Sequence, residues 1–189
     1  MSGTLVNFEE AKKCEVLDPK GGKHLFGNVL KDGRPYLVSM LRHFGCISCA
    51  EHVDSFLTYK EKFKELGLNF VFIGNGQYKE LKDFVVRMNL IDDKLIVLTD
   101  PSLEIFKQLG LKYSFFSTVH YKSVLNIVRA SKKGHKNLPT KNGERGSHFQ
   151  QGGLLMLDSA QNIEYYFRSE HMGDKPDCKE LLNIASELF

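Results

Sequence analysis

Four cysteines in 189 residues, with no secretory signal visible, do not read as a disulfide framework. They read as thiols kept mostly reduced. No apolar stretch approaches the ~20 residues needed to span a bilayer. The opening from Met1 to Lys13 has no long apolar core and carries Glu9, Glu10, Lys12 and Lys13, so no signal peptide is expected and a cytoplasmic location is the default. No composition break divides the chain. Apolar content of 42% and charged content of 26% fit one soluble domain, 1–189, large enough for a full core. No internal repeat, low-complexity tract or nucleic-acid motif is visible, and no nucleic-acid partner is expected.

Net charge is small at +3, but unevenly spread. From Leu111 to Gln150 eight basic residues face Glu144 alone, a net +7 that leaves −4 elsewhere. This reads as a solvated basic excursion, with an anionic partner as the alternative.

What the chain does have is Cys46-Ile47-Ser48-Cys49, directly after the apolar run Tyr36 to Leu41. A β-leaning run that breaks at Gly45 and opens into a helical pattern places Cys46 at a helix start. There, unpaired backbone N–H groups and the positive end of the helix dipole favour a thiolate. Cys49 follows on the same face, within reach of a sulfur on Cys46. That is the geometry of a dithiol redox centre. Cys14 and Cys178 stand in no recognisable spacing and read as small buried or partly exposed residues.

The elements alternate. Short strands at 14–17 and 23–26 flank the turn Asp18 to Gly22. Strands at 36–41, 69–73 and 95–98 are each followed by a helix: Ala50 to Leu66, a helix carrying Leu81 to Met88, and one with Leu103, Phe106 and Leu109 capped by Thr99-Asp100-Pro101-Ser102. This predicts a mostly parallel sheet covered by helices. Ser114 to Ala130 reads as one helix with a broad apolar side, and Ser131 to Gly153 as a long loop, an insertion at about 111–153. A hairpin at 154–167 and a helix from Lys179 to Leu188 close the chain.

Two other readings compete for these residues. His43, Cys46, Cys49 and His52 fall three apart, which invites zinc, but four ligands on one helical stretch spiral round its axis instead of converging. Gly74-Asn75-Gly76 after a strand has Lys79 where a dinucleotide loop needs its third glycine, so it reads as a turn.

The segment Leu41 to Cys49 resembles the peroxiredoxin-like branch of the alkyl hydroperoxide reductase/thiol-specific antioxidant superfamily. So do Thr99-Asp100-Pro101-Ser102 with Leu109-Gly110-Leu111, Gly152-Gly153-Leu154 leading to Arg168-Ser169-Glu170, and Gly173-Asp174-Lys175-Pro176-Asp177. The resemblance implies an α/β thioredoxin-like fold: a central mixed sheet flanked by helices, with a basic helix-loop insertion before the C-terminal hairpin. It implies a thiol-dependent oxidoreductase in which Cys46 attacks a hydroperoxide or endoperoxide and Cys49 resolves the sulfenic acid. A thioredoxin-type dithiol would restore the pair. Of the two candidate cations, Arg42 and Arg168, it favours Arg168, with His43 as a second electrostatic helper. No cofactor is expected, because the dithiol carries the electrons.

In the pattern Pro-x-x-x-Thr-x-x-Cys, Ser39 and His43 take the Pro and Thr places, so the positioning hydroxyl is absent there. Gly152-Gly153 stand where thioredoxin has its cis-proline. The rivals are a non-catalytic redox-sensing module and a metal-binding protein. A homodimer stays open. Membrane contact is not expected, because His120 and Ser123 interrupt the apolar side of 114–130.

Overall fold

A computed structural model of the chain describes residues 6–31, 33–92, 95–137 and 146–189. Its centre is β3, Tyr36–His43, every residue of which is buried. Such a continuously apolar strand needs cover on both faces, and helices supply it. β4 (Asn69–Asn75) and β5 (Leu95–Thr99) run parallel to it in the order β5-β4-β3. On the far side β6 (Gly153–Leu157) pairs antiparallel with β3, and β7 (Ile163–Arg168) with β6. Two short antiparallel strands, β1 (Glu15–Leu17) and β2 (Lys23–Leu25), complete a seven-stranded sheet in the order β2-β1-β5-β4-β3-β6-β7. The mixed sheet matches the thioredoxin-like expectation.

Period-two alternation sends Leu37, Phe70, Phe72 and Met156 to one face and Val38, Val71, Ile73 and Leu155 to the other. The first face lies under α3 (Ile47–Glu65), α4 (Tyr78–Arg87) and α8 (Cys178–Leu188), with Phe56 ringed by Phe63, Phe70 and Phe72 at 6.0–6.5 Å. The second lies under α1 (Phe8–Lys12), α2 (Phe26–Val29) and α5 (Glu104–Gln108). Asp100 caps α5 by accepting from Ser102 N and Ile105 N, while Leu103 takes the left-handed conformation.

The expected helix at 114–130 is instead two: α6, Phe115–Val119, and α7, Tyr121–Lys132. His120 is extended between them and its Nδ1 accepts from Lys122 N, so the residue that punctuates the pattern also caps the second helix. The apolar side of the pair faces outward, and Ser123 and Ala130 are the residues of α7 that are buried. The loop expected from Ser131 begins after α7, and residues 138–145 of it lie outside the described residues.

Glu51 of α3 holds the inserted helix down. Its buried carboxylate takes Arg129 in a two-pronged pair at 3.0 Å, Lys133 at 3.0 Å and Lys175 at 3.7 Å. Burial pulls this carboxyl up, but hydrogen bonds from Arg129 and Lys133 outweigh it and hold it at about 2. A carboxyl depressed below its unfolded value of ~4.3 contributes stability above that pH and loses it as pH falls through the folded value. Glu51→Gln therefore lowers unfolding free energy at neutral pH by about 1–3 kcal/mol, discounted for the exposed ends of Arg129 and Lys133. In urea melts at a series of pH values, the variant's stability falls less between pH ~4.3 and ~2 than that of the parent.

Candidate active site

Strand β3 feeds α3 through a three-residue turn in which Cys46 N donates to His43 O at 3.0 Å. Cys46 is the N-cap residue of α3, in extended conformation, and its side chain makes no capping bond. The sulfur is thus left for other partners. The N–H of Ile47, one of the first-turn donors with no partner inside the helix, donates to Asn137 Oδ1 at 3.0 Å. Just upstream, the β3–β4 register slips between Met40 and His43, a bulge that breaks the strand's alternation at Arg42.

Arg42 Nη1 donates to Cys46 Sγ at 3.3 Å, and the Arg42 backbone N–H donates to Cys49 Sγ at 3.3 Å. The rest of the guanidinium is spent on the inserted segment: Nε on Gln150 O at 3.0 Å, and Nη2 on Thr118 Oγ1 and His148 O. Arg42 is 3% exposed, and no carboxylate reaches it among the described residues. The two sulfurs are pushed apart in acidity. The hydrogen bond from the Cys49 thiol pulls Cys46 well below an ordinary thiol, against burial and with the Arg42 charge helping. The same bond, burial and the neighbouring thiolate raise Cys49. The arrangement yields one thiolate and one thiol.

Of the two candidate cations, Arg42 is the one the structure places at the sulfur. Arg168 ends β7 in an ion pair with Glu170 at 3.0 Å, which Lys112 shares. Arg42 can reach Cys46 because it stands four residues before it across a tight turn. His43 does not bind the sulfurs through its ring; it lies edge-on to His148, 4.3 Å between centroids. His52 Nε2 is 2.8 Å from Ser39 Oγ, and burial, reinforced by Lys175, pushes its imidazole down to about 3, so it is neutral. Among the described residues no three His, Cys, Asp or Glu side chains converge as metal ligands. Cys14 donates to Glu10 O, and burial pushes Cys178 up to about 11. Neither bonds to the dithiol.

The thiolate expected at the open mouth of a helix is covered. Cys46 is 2% and Cys49 5% exposed. Behind Cys49 lies a cavity of about 30 Å³, room for roughly one or two waters, lined by Arg42, Ser48, His52, Gly152 and Lys175. Ser48 Oγ is buried there with no hydrogen-bond partner among the described residues. Gly152 lets the chain pass close: a Cβ on it would stand 2.4 Å from Met40 O. Thr118, Asn137, His148 and Gln150 were not legible as site residues, because nothing local in the sequence ties them to a cysteine a hundred positions away.

Comparison with known proteins adds the family. A model described as AhpC/TSA antioxidant enzyme matches residues 55–171. The chain belongs to that family. It is 28% identical to "Peroxiredoxin-like 2C" of Bos taurus over 180 residues, covering 90% of this chain and 75% of the relative. The Homo sapiens counterpart is 27% identical with 90% and 76% covered. Peroxidoxin BcpB from Mycobacterium tuberculosis superposes with a TM-score of 0.63 at 14% identity over 93% of each chain. Reduced Prx3 from Vibrio vulnificus, in complex with H2O2, gives 0.65 at 10% identity over 92% of this chain and 94% of that one. These likenesses show the thioredoxin-like peroxiredoxin fold. The family match places the chain with thiol-dependent, peroxidase-type oxidoreductases. It begins after Cys46 and Cys49, so the dithiol rests on its own geometry.

Titrating the Cys46 thiolate by its ultraviolet absorbance gives a midpoint well below the ~8.5 of a free thiol. Arg42→Gln raises that midpoint by about one pH unit or more, and Arg168→Gln leaves it in place.

Proposed function

We propose that the chain is a two-cysteine peroxidase working through Cys46 and Cys49. The observation that carries this reading is the Cys46 sulfur held between the Arg42 guanidinium and the Cys49 thiol. In the first step the Cys46 thiolate gives an electron pair to one peroxide oxygen and the O–O bond breaks. Cys46 becomes a sulfenic acid, and the departing oxygen takes a proton and leaves as water or an alcohol. Arg42 stabilises the thiolate beforehand and the charge developing on the leaving oxygen. In the second step Cys49 loses its proton and attacks the sulfenic sulfur. Water leaves and the Cys46–Cys49 disulfide forms. A dithiol reductant of the thioredoxin type, attacking one sulfur, returns both thiols and carries away the two oxidising equivalents.

Access to Cys46 requires the 148–150 strap to lift from Arg42. The small cavity beside Cys49 suits hydrogen peroxide or a short hydroperoxide, and Ser48 Oγ supplies a hydroxyl where the family's threonine position holds His43. An endoperoxide needs a wider opening. The burial of Cys46 favours one second reading, a redox sensor that oxidises once when the strap opens.

Steady-state peroxide consumption with a thioredoxin system separates the two. The expected result is many turnovers per protein, loss of turnover in Cys46→Ser, and in Cys49→Ser a single oxidation whose sulfenic acid is trapped by dimedone. A single oxidation of the parent chain would mark the sensor. Arg42→Gln lowers the rate by roughly 10–100-fold, the worth of a charge-assisted hydrogen bond.

A further inference from the structure

The inserted helix α7 is built inside-out. Its buried residues include Ser123 and Ala130, while Tyr121, Val124, Leu125 and Val128 stand exposed at the i, i+3, i+4, i+7 spacing of an apolar stripe. Helix α6 adds Phe115, Phe116 and Val119 to the same exposed set, with Phe116 81% and Leu125 61% exposed. Of fourteen exposed large apolar side chains among the described residues, nine fall between Tyr113 and Phe149, so this is a patch and not ordinary scatter. The packing of the fold does not account for it. Ser123 and His120, which interrupt the stripe in sequence, do not interrupt it in space: Ser123 Oγ turns inward to Ser117 O, and His120 is the turn between the helices.

The charge around the stripe is of one sign. No Asp or Glu occurs from Ile105 to Gly143. Lys122, Lys132 and Lys136 are exposed and form no ion pair with described residues. Beside the stripe, and sharing Tyr121 and Leu125 with it, lies a groove of about 410 Å³ whose other walls include Lys122, Arg129, His171 and Lys175, with Asp174 as its acid.

We infer that α6 and α7 dock this protein on an anionic lipid bilayer. The apolar stripe enters the boundary of the acyl chains, and Lys122, Lys132 and Lys136 meet the headgroups. A second copy of the chain fits this surface poorly, because a two-fold pairing sets Lys122, Lys132 and Lys136 against their own images. The inference stands apart from the thiol chemistry, although α6 also carries Thr118 on Arg42.

The test is co-sedimentation of the full chain with vesicles of phosphatidylcholine alone and of phosphatidylcholine mixed with phosphatidylserine. The expected result is binding at least ~10-fold stronger to the anionic vesicles and weakened by high salt. Phe116→Ser with Leu125→Ser, and separately Lys122→Glu with Lys132→Glu, each reduce it by ~10-fold or more. Circular dichroism and thermal melting of both variants match the parent, since all four residues are exposed. Three results overturn the proposal. One is a parent chain that stays in the supernatant with both vesicles, and another is variants that sediment as it does. The third is a dimer, seen by light scattering, that the Phe116/Leu125 pair dissolves in the absence of any vesicle binding.

Discussion

A buried guanidinium whose counter-charge is a sulfur organises this molecule. Arg42 sits in the interior with carbonyl and hydroxyl oxygens on two of its nitrogens, Cys46 Sγ on the third, and no carboxylate within reach among the described residues. Taking an arginine out of water costs several kcal/mol unless a charge compensates it. The Cys46 sulfur supplies that charge, and the Arg42 guanidinium helps to hold it as a thiolate. Protonating the sulfur would strand the guanidinium, and replacing the arginine would strand the sulfur. Arg42 thus links two features: it adds to the acidity that the Cys49 thiol gives Cys46, and it anchors the inserted segment.

That pairing explains why the insertion is tied down where it is. Gln150 O and His148 O complete the guanidinium's hydrogen bonds, Thr118 reaches it from α6, and Glu51 draws Arg129 and Lys133 of α7 and its flank onto α3. The inserted segment spends its polar groups inward on two charged anchors and leaves its aromatic and branched side chains outward. An ordinary surface helix does the reverse, placing its apolar stripe on the core. Here the core beneath was already closed by α3, α4 and α8, so only small residues fit underneath.

Much of the scaffold could be read from the chain because it is locally encoded. Apolar strands of five to eight residues, glycines past helix ends at Gly67 and Gly110, and the Asp100 capping cluster each act over a few positions. The elements expected at 36–41, 69–73 and 95–98 stand with their ends moved outward by one or two residues. The break at His120 within 114–130 was not legible, because the spacing of apolar residues reports that a face exists and not where one helix ends and the next begins. Arg168 was preferred over Arg42 for a related reason. The hydrogen bond from Arg42 to Cys46 is made across the turn after β3, and Glu170, two residues away, is the partner of Arg168.

The chain by itself determined the Cys46-x-x-Cys49 spacing, its place at the start of a helix, and the alternating order of strands and helices. Each of these is a matter of residue types at short spacing. Only the tertiary structure decided which arginine faces the sulfur, that the sulfur is covered, and which way the inserted helices turn. Those outcomes depend on contacts between residues 70 to 110 positions apart, whose energies are settled by burial and charge pairing in the assembled core and leave no periodic trace along the sequence.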